Sequence, residues 1–341
     1  MKKLLRYLSP LAPDDSGACS VLYEMGGIVV ICDAGGCAGN VCGFDEPRWH
    51  TKKSALFSAG LRDMDAILGR DDRLVEKLSK VCSQIDGEFA AIIGTPVPAV
   101  IATDYSALKR MTEKRTGLPC ITVETDGTKL YDFGESLAYI KLFKEFAKEK
   151  LPVKQGKLGV IGATPLDTGL VTADRIKQAL LSDTVTEVVC FGMDSGLDEI
   201  RRASECERIL VISPAGLKAA AYLNDTFGTS FDVGFPVLPE RVTEACEKAQ
   251  GKTLIIGQQF AANELRKHIP DADAATWFML DERYAKENDF HIGGEEDLLE
   301  KIEQRKYDTI FADPDIKRML GGFGGTFIDF PHYAISAYLE E

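Results

Sequence analysis

Short apolar runs alternate with longer amphipathic stretches along the chain, and this alternation is the feature that most constrains its fold. The first run, at residues 27–31, contains four β-branched residues without polar alternation, which is typical of a strand buried on both faces. Comparable runs occur at residues 89–94, 119–123, 157–162, 187–192, 208–214, 251–257, 274–280, 307–312 and 325–331. Strands that helices separate in this way pair in parallel through right-handed crossovers.

The length of the chain and the grouping of these runs predict three domains. A chain of 341 residues is too long for one small core, and the runs fall into three successive series. We therefore predict an α/β protein with three doubly wound, Rossmann-like domains and mostly parallel sheets. The predicted boundaries are 1–152 for an N-terminal domain, 153–249 for a second and 250–341 for a third.

A glycine-rich loop with three cysteines follows the first strand. Cys32, Cys37 and Cys42 lie within eleven residues of one another, and open α/β sheets bind their ligands at the carboxyl ends of strands. One interpretation is buried structural thiols in a tight turn, because unpaired Cys is among the most buried residue types. The other is an iron–sulfur site. The spacing C-x4-C-x4-C matches neither the common ferredoxin patterns nor paired zinc ligands, so spacing alone does not name the metal.

Composition and charge exclude several classes of protein. The net charge of −13 argues against binding to nucleic acid, whose phosphates would be repelled. No apolar window approaches the roughly twenty residues of a membrane span, and the first ten residues lack the features of a secretory signal. We therefore expect a cytoplasmic protein with no membrane partner, whose nine cysteines are reduced thiols or metal ligands.

Several short motifs occur in an order that resembles a known family. They are Ser16-Gly17-Ala18, Gly35-Gly36-Cys37-Ala38, the segments 61–69, 98–104 and 160–167, and Phe330-Pro331. Their order is similar to that of the nitrogenase component 1 superfamily, and the resemblance covers nearly the whole chain. That superfamily includes the molybdenum–iron protein subunits, their cofactor-assembly scaffolds, the catalytic part of dark-operative protochlorophyllide reductase and the reductive cyclase of the nickel-tetrapyrrole pathway.

The resemblance implies an iron–sulfur cluster near a subunit interface. Members usually contribute three cysteines from each subunit, and here the middle one is matched by Cys37. The first position falls near Pro13 and the third at Thr95-Pro96, where the chain has no thiol. Cys19 lies near the first position, in the following helix, and Cys32 and Cys42, which flank Cys37 and are unusual for the family, are expected to supply the missing sulfur. The resemblance implies a [4Fe–4S] cluster with Cys37 as a ligand, and we expect Cys42, Cys19 and Cys32 to be the further ligands, in one chain or shared between two.

The resemblance also implies a function. The chain would accept single electrons from an ATP-dependent, nitrogenase-like iron protein and pass them to a small molecule in an inter-domain cleft. A homodimer is expected, or a heteromer with a sister subunit. The cysteine that holds the large cofactor of nitrogenase would fall near Ser213, and no histidine matches its partner, so dinitrogen is not the expected substrate. His332 is expected to be structural or interfacial.

Two alternatives remain open at the level of sequence. The missing flanking cysteines favour a non-catalytic scaffold that carries a metallocluster or a tetrapyrrole precursor. A cluster-free relative used only for interaction would leave Cys32, Cys37 and Cys42 inert.

Overall fold

The computed structural model describes residues 5–338 and contains three parallel sheets connected by helices. In the first sheet the strand order is β2-β1-β3-β4, so that β1 lies between β2 and β3. Its elements are α1 (Asp14–Leu22), β1 (Ile28–Ile31), α2 (Gly36–Asn40), β2 (Ala55–Ser58), α3 (Asp63–Leu68), α4 (Asp71–Cys82), β3 (Ala90–Ile93), α5 (Pro96–Val100), α6 (Tyr105–Thr116), β4 (Cys120–Val123) and α7 (Tyr131–Phe146).

The second sheet has the order β6-β5-β7-β8 and the third the order β11-β10-β9-β12-β13. The second group of elements is β5 (Lys154–Ile161), α8 (Pro165–Thr168), α9 (Ala173–Leu180), β6 (Glu187–Phe191), α10 (Leu197–Arg201), β7 (Cys206–Val211), α11 (Leu217–Phe227), β8 (Ser230–Val233) and α12 (Glu240–Ala245). The third is β9 (Thr253–Ile256), α13 (Gln259–Leu265), β10 (Asp273–Thr276), β11 (Phe290–His291), α14 (Glu295–Arg305), β12 (Thr309–Ala312), β13 (Thr326–Asp329) and α15 (Tyr333–Ser336).

These sheets confirm the predicted fold class. Neighbouring strands within each of the three sheets pair in parallel. The strands of each sheet fall inside one of the predicted ranges 1–152, 153–249 and 250–341, while the boundaries themselves stay a prediction. In the part of the chain that the structure describes, no helix has the length and apolar character needed to cross a membrane.

The three sheets share their cores. Val29, Ile31 and Ile93 of the first sheet belong to the same buried cluster as Ile161 and Val211 of the second. A further buried cluster joins the second sheet to the third and includes apolar residues of β5, β6, β9 and β12. The units are therefore packed against each other through apolar surface that none of them could cover alone.

Helices α1 and α7 cross at a separation that only glycine permits. A Cβ atom on Gly17 would overlap the backbone carbonyl of Tyr131, and one on Gly134 would overlap the backbone carbonyl of Asp14. The segments that lead into the two helices are also paired, by an antiparallel bridge between Pro13 and Leu130. The crossing therefore fixes the first turn of each helix relative to the other.

A buried arginine ties the loop that follows α2 to both α1 and the second sheet. The Arg48 guanidinium donates to both carboxylate oxygens of Glu46, at 2.7 and 2.6 Å, and to Glu24 at 2.9 Å. It also donates to the backbone carbonyls of Ser20 at 2.6 Å and Gly192 at 2.9 Å. A bidentate, charge-assisted contact of this kind is among the strongest polar interactions in proteins. Arg48 therefore positions the loop that carries Cys37 and Cys42.

We expect Gly134→Ala to lower the free energy of unfolding by at least about 3 kcal/mol, because the added methyl group meets backbone atoms that cannot rotate away. Urea denaturation followed by circular dichroism measures this. Gly321→Ala is the matched control, since a Cβ atom there meets nothing within 4 Å and the change should stay within about 0.5 kcal/mol. Equal unfolding free energies for the two variants would contradict the described crossing.

We expect Arg48→Met to cost about 3–5 kcal/mol of stability, because it leaves the buried Glu46 carboxylate without its cation and Glu24 with the exposed Lys52 alone. Lys52→Met removes an exposed partner of Glu24, at 3.2 Å, and should cost no more than about 1 kcal/mol. The same denaturation experiment compares the two variants. If Lys52→Met proved as costly as Arg48→Met, the role given to the buried guanidinium would be wrong.

Candidate functional site

The cysteine loop is built from short helical turns at the carboxyl end of β1. Gly35, with φ of 114°, turns the chain into α2, and a π-helical turn at Val41–Asp45 carries Cys42. The Asp33 carboxylate holds the base of the loop by accepting the Ala38 N–H at 2.9 Å and the Ser58 hydroxyl at 2.6 Å. π-helical turns occur frequently at functional sites. Here the turn places Cys42 near Cys19 of α1.

Cys37 is half-buried, and its thiol lies next to the side chains of Asp15 and Thr95. Burial, together with the negative charges of Asp15 and Asp33, raises the pKa of the Cys37 thiol to about 11. The thiol is therefore neutral at neutral pH in the metal-free chain, and metal binding would release its proton.

Asp15, which the sequence did not single out, is the second donor of this site. The residue is 2% exposed, and its carboxylate lies next to the Cys37 thiol. Burial, with Asp14 and Asp45 nearby, raises its pKa to about 7. A buried carboxylate is costly unless hydrogen bonds, a proton or a cation stabilise it. Asp15 and Cys37 together therefore form a pair of donors that is suited to a metal.

The four cysteines of the predicted ligand set lie on two faces of the first sheet. Cys19, on the inner face of α1, is fully buried, and Cys42 lies near enough to it to raise its pKa. Cys37 packs against the same apolar cluster as Cys19. Cys32 belongs to the cluster on the opposite face, because side chains alternate along β1 and its continuation. The structure thus places Cys19, Cys37 and Cys42 on one side of the sheet and Cys32 on the other.

The described chain does not by itself bring together a complete set of metal donors. Among residues 5–338, no three His, Cys, Asp or Glu side chains come together closely enough to hold a metal ion. Cys37 and Asp15 offer two adjacent donors, whereas a [4Fe–4S] cluster takes four. The ligand set Cys37, Cys42, Cys19 and Cys32 therefore stays a prediction.

Exposed apolar side chains occur on the segments that follow the strands of this edge of the first sheet. β2, β1 and β3 are neighbours in the sheet, so the segments that follow them lie at one edge. These segments expose Phe44, Met64, Ile67, Leu68, Val97, Val100 and Ile101, with Val100 exposed to 84%. We call these seven residues the apolar edge. Exposed apolar residues that gather at one edge of a sheet are typical of sites of interaction.

A second feature is a cavity of about 590 Å³ between the second and third sheets. Its walls are largely apolar and include Val171, Phe235, Val237 and Phe330. Asp167, Gln258 and His332 contribute polar groups to its lining, and all three are buried. Cavities of this size and character are typical of small-molecule sites.

The polar groups of the cavity continue into a buried network on α7. The Tyr131 hydroxyl donates to Asp167 Oδ1 at 2.7 Å and lies 3.0 Å from His332 Nε2. Glu135, one turn along α7, accepts a hydrogen bond from the Thr164 hydroxyl. Burial lowers the pKa of His332 to about 3, so its imidazole is neutral. His332 is thus a buried, hydrogen-bonded side chain of the cavity wall.

Comparison with known proteins agrees with this architecture. The chain is similar to a solved structure described as "Nitrogenase Cp1 at pH 6.5", with 13% identity and a TM-score of 0.72, over 100% of this chain and 87% of that one. A structure described as "Nitrogenase Cp1 at pH 5" gives 14% identity and a TM-score of 0.73, over 100% and 86% of the two chains. No curated protein matches. At this identity the likeness concerns the fold.

The family itself is shown by sequence. The model of the family described as nitrogenase component 1 type oxidoreductase matches residues 16–269, well over half of the 341 residues. The matched segment begins at Ser16, the residue after Asp15. It includes the cysteine loop, Tyr131 and Glu135 on α7, and Asp167 on α8. It confirms the resemblance that the order of motifs predicted. The chain therefore belongs to the family of nitrogenase component 1 type oxidoreductases.

Proposed function

We propose that the protein is a nitrogenase-like electron acceptor that holds an iron–sulfur cluster between two copies of the chain. The observation that carries the proposal is the Cys37–Asp15 pair, an incomplete donor set at the carboxyl end of the sheet whose neighbouring segments carry the apolar edge. Two copies related by a two-fold axis would bring two such pairs together and cover the apolar edge of each. Four donors, two thiolates and two carboxylates, would then hold a [4Fe–4S] cluster. Cys42 and Cys19, which lie on the same side of the first sheet, would be the alternative thiol ligands.

The surroundings of this site favour a strongly reducing centre. Asp33 and Asp45 lie near the pair, as their effects on the pKa values of Cys37 and Asp15 show. Negative charge next to a cluster disfavours an added electron and so lowers its reduction potential. When bound, the cluster would supply one-electron storage. The chain would contribute the donors and the nearby negative charges, and the apolar edge would exclude water from the cluster.

We propose the cavity between the second and third sheets as the place where a small molecule is reduced. Electrons would come from an ATP-dependent iron protein, the class of reductant that serves this family. Dinitrogen is not the proposed substrate. Ser213 is buried behind the cavity, where nitrogenase has a cofactor cysteine by sequence resemblance, and His332 is engaged with Tyr131.

A scaffold function is the second candidate. It is favoured by the incomplete donor set, because a carrier that releases its cargo needs fewer ligands than a resident site. Such a protein would carry a metallocluster or a tetrapyrrole precursor and would take no electrons.

We expect the wild-type chain, after anaerobic reconstitution, to bind roughly half a [4Fe–4S] cluster per chain, as measured by iron and acid-labile sulfide. Cys37→Ala and Asp15→Ala should each lose most of this iron, because each removes donors from both halves of the site. Cys82→Ala is the matched control, since Cys82 lies on α4 and away from the loop. A full complement of iron in the Cys37→Ala variant would refute the assignment, and an iron-free wild type would refute both candidate functions.

Electron transfer separates the enzyme from the scaffold. We expect the reconstituted protein to oxidise a cognate iron protein in the presence of ATP and dithionite, and to do so only when ATP is hydrolysed. Stopped-flow absorbance of the iron protein measures the rate, and the Cys37→Ala variant should show none. Oxidation that is absent from a cluster-loaded wild type would favour the scaffold.

A further inference from the structure

The exposed side of the cavity carries hydrogen-bond donors that the chain does not use. Arg175 on α9 is the one cationic side chain among the described lining residues, and it is exposed. Within residues 5–338 its guanidinium makes no ion pair and no hydrogen bond. Gln178 and Ala179 line the cavity with it, because residues three and four positions apart share one face of a helix. The Gln178 amide likewise has no partner in that range.

The polar groups at the buried end of the cavity are engaged with the protein instead. Asp167 accepts a hydrogen bond from the Tyr131 hydroxyl at 2.7 Å, and His332 lies 3.0 Å from the same hydroxyl. Gln258 Nε2 donates to the Ile212 carbonyl at 2.7 Å, and Gln258 Oε1 accepts two backbone N–H groups. The Asp167 carboxylate at this end would repel an anion. The buried end is therefore suited to the apolar part of a ligand, and the exposed side to a charged part.

Arg175 occupies an unfavourable position in its helix. It is the third residue of α9, where the helix dipole disfavours a positive charge. Lys177, two residues further on, does not line the cavity and pairs with Asp194 at 2.9 Å. Glu240, the other charged group on the exposed side, begins α12 and does not pair with Arg175. Departures from such local rules are expected at functional sites. An anion from outside the chain would supply the partner that Arg175 lacks.

We propose that the cavity binds an apolar organic anion, whose carboxylate lies against Arg175 and Gln178 and whose apolar body fills the buried end. A guanidinium presents parallel N–H groups that match the two oxygens of a carboxylate. The apolar walls, which include Val171, Phe235 and Phe330, hold a body of a size that fits about 590 Å³.

The inference deepens the proposed function by naming the class of its substrate. It rests on the proposed role of the cavity as a small-molecule site. It does not depend on the iron–sulfur cluster or on the transfer of electrons, so binding can be measured on the full-length protein alone.

Two fluorescent probes that differ by one charged group test the role of Arg175. Anilinonaphthalene sulfonate is an apolar anion, and N-phenylnaphthylamine has the same rings without the sulfonate. Both become brighter in apolar surroundings, so that titration gives their dissociation constants. We expect Arg175→Gln to weaken binding of the sulfonate roughly tenfold, because a hydrogen bond between charged groups is lost. Binding of the neutral probe should stay within about twofold.

Two further variants serve as controls for charge and for place. Lys177→Gln removes a positive charge from the same helix without touching the cavity, and should leave both probes within about twofold of the wild type. Ala179→Trp adds a large side chain to the lining and should weaken both probes together. Arg175 and Ala179 are exposed, so we expect their variants to fold, as circular dichroism will show.

Competition tests the carboxylate itself. Naphthoate should displace the sulfonate probe from the wild type roughly tenfold more effectively than naphthamide, which has the same size and no charge. In Arg175→Gln the two competitors should be nearly equal.

Three results would overturn the inference: sulfonate binding that Arg175→Gln leaves unchanged or that Lys177→Gln weakens equally, equal displacement by naphthoate and naphthamide in the wild type, or probe binding that survives Ala179→Trp. The electron-transfer measurement fails independently of these. A protein that binds the probes as expected but takes no electrons from an iron protein would refute the proposed function and support the anion site.

Discussion

The crossing of α1 and α7 is the constraint on which the rest of the structure depends. Backbone contacts through Gly17 and Gly134 bring the first turns of the two helices together. The first turn of α1 carries Asp15, beside Cys37, and the first turns of α7 carry Tyr131 and Glu135. One helix pair therefore sets the distance between the Cys37–Asp15 pair and the contact of Tyr131 with Asp167 at the cavity.

Buried carboxylates occur at both sites. Beside Cys37, Asp15 and Asp33 are 2% and 1% exposed, and burial together with their negative charges holds the thiol in its neutral form. At the cavity, Asp167 is 8% exposed and accepts a hydrogen bond from the Tyr131 hydroxyl at 2.7 Å. An enclosed charge has no solvent to stabilise it, so each carboxylate depends on the few partners that its neighbours provide.

The sequence predicted the fold well because buried parallel strands leave an apolar signal. The strands it missed, β2, β8 and β11, are short edge strands with exposed residues such as Ser230 and Asp232, so their apolar signal is diluted. Cys37 could be singled out from its loop and its family resemblance, and its role as a ligand stays a prediction. Asp15, Arg48 and Asp167 could not, because a buried polar residue is recognisable only once its partner is known, and the partners lie up to 144 residues away.

The placement of Tyr131 and Glu135 has a consequence for how the chain could diverge. Both belong to α7, a helix of the first unit, yet Tyr131 contacts Asp167 and His332 in the lining of the cavity, and Glu135 contacts Thr164 of the second unit. The second and third units alone would leave Asp167 without the Tyr131 hydroxyl. The cavity is therefore not a module that is separable from the first unit. A relative that exchanged the second and third units by recombination would have to inherit α7 with them, so the cavity is expected to change by substitution within its wall rather than by exchange of whole units.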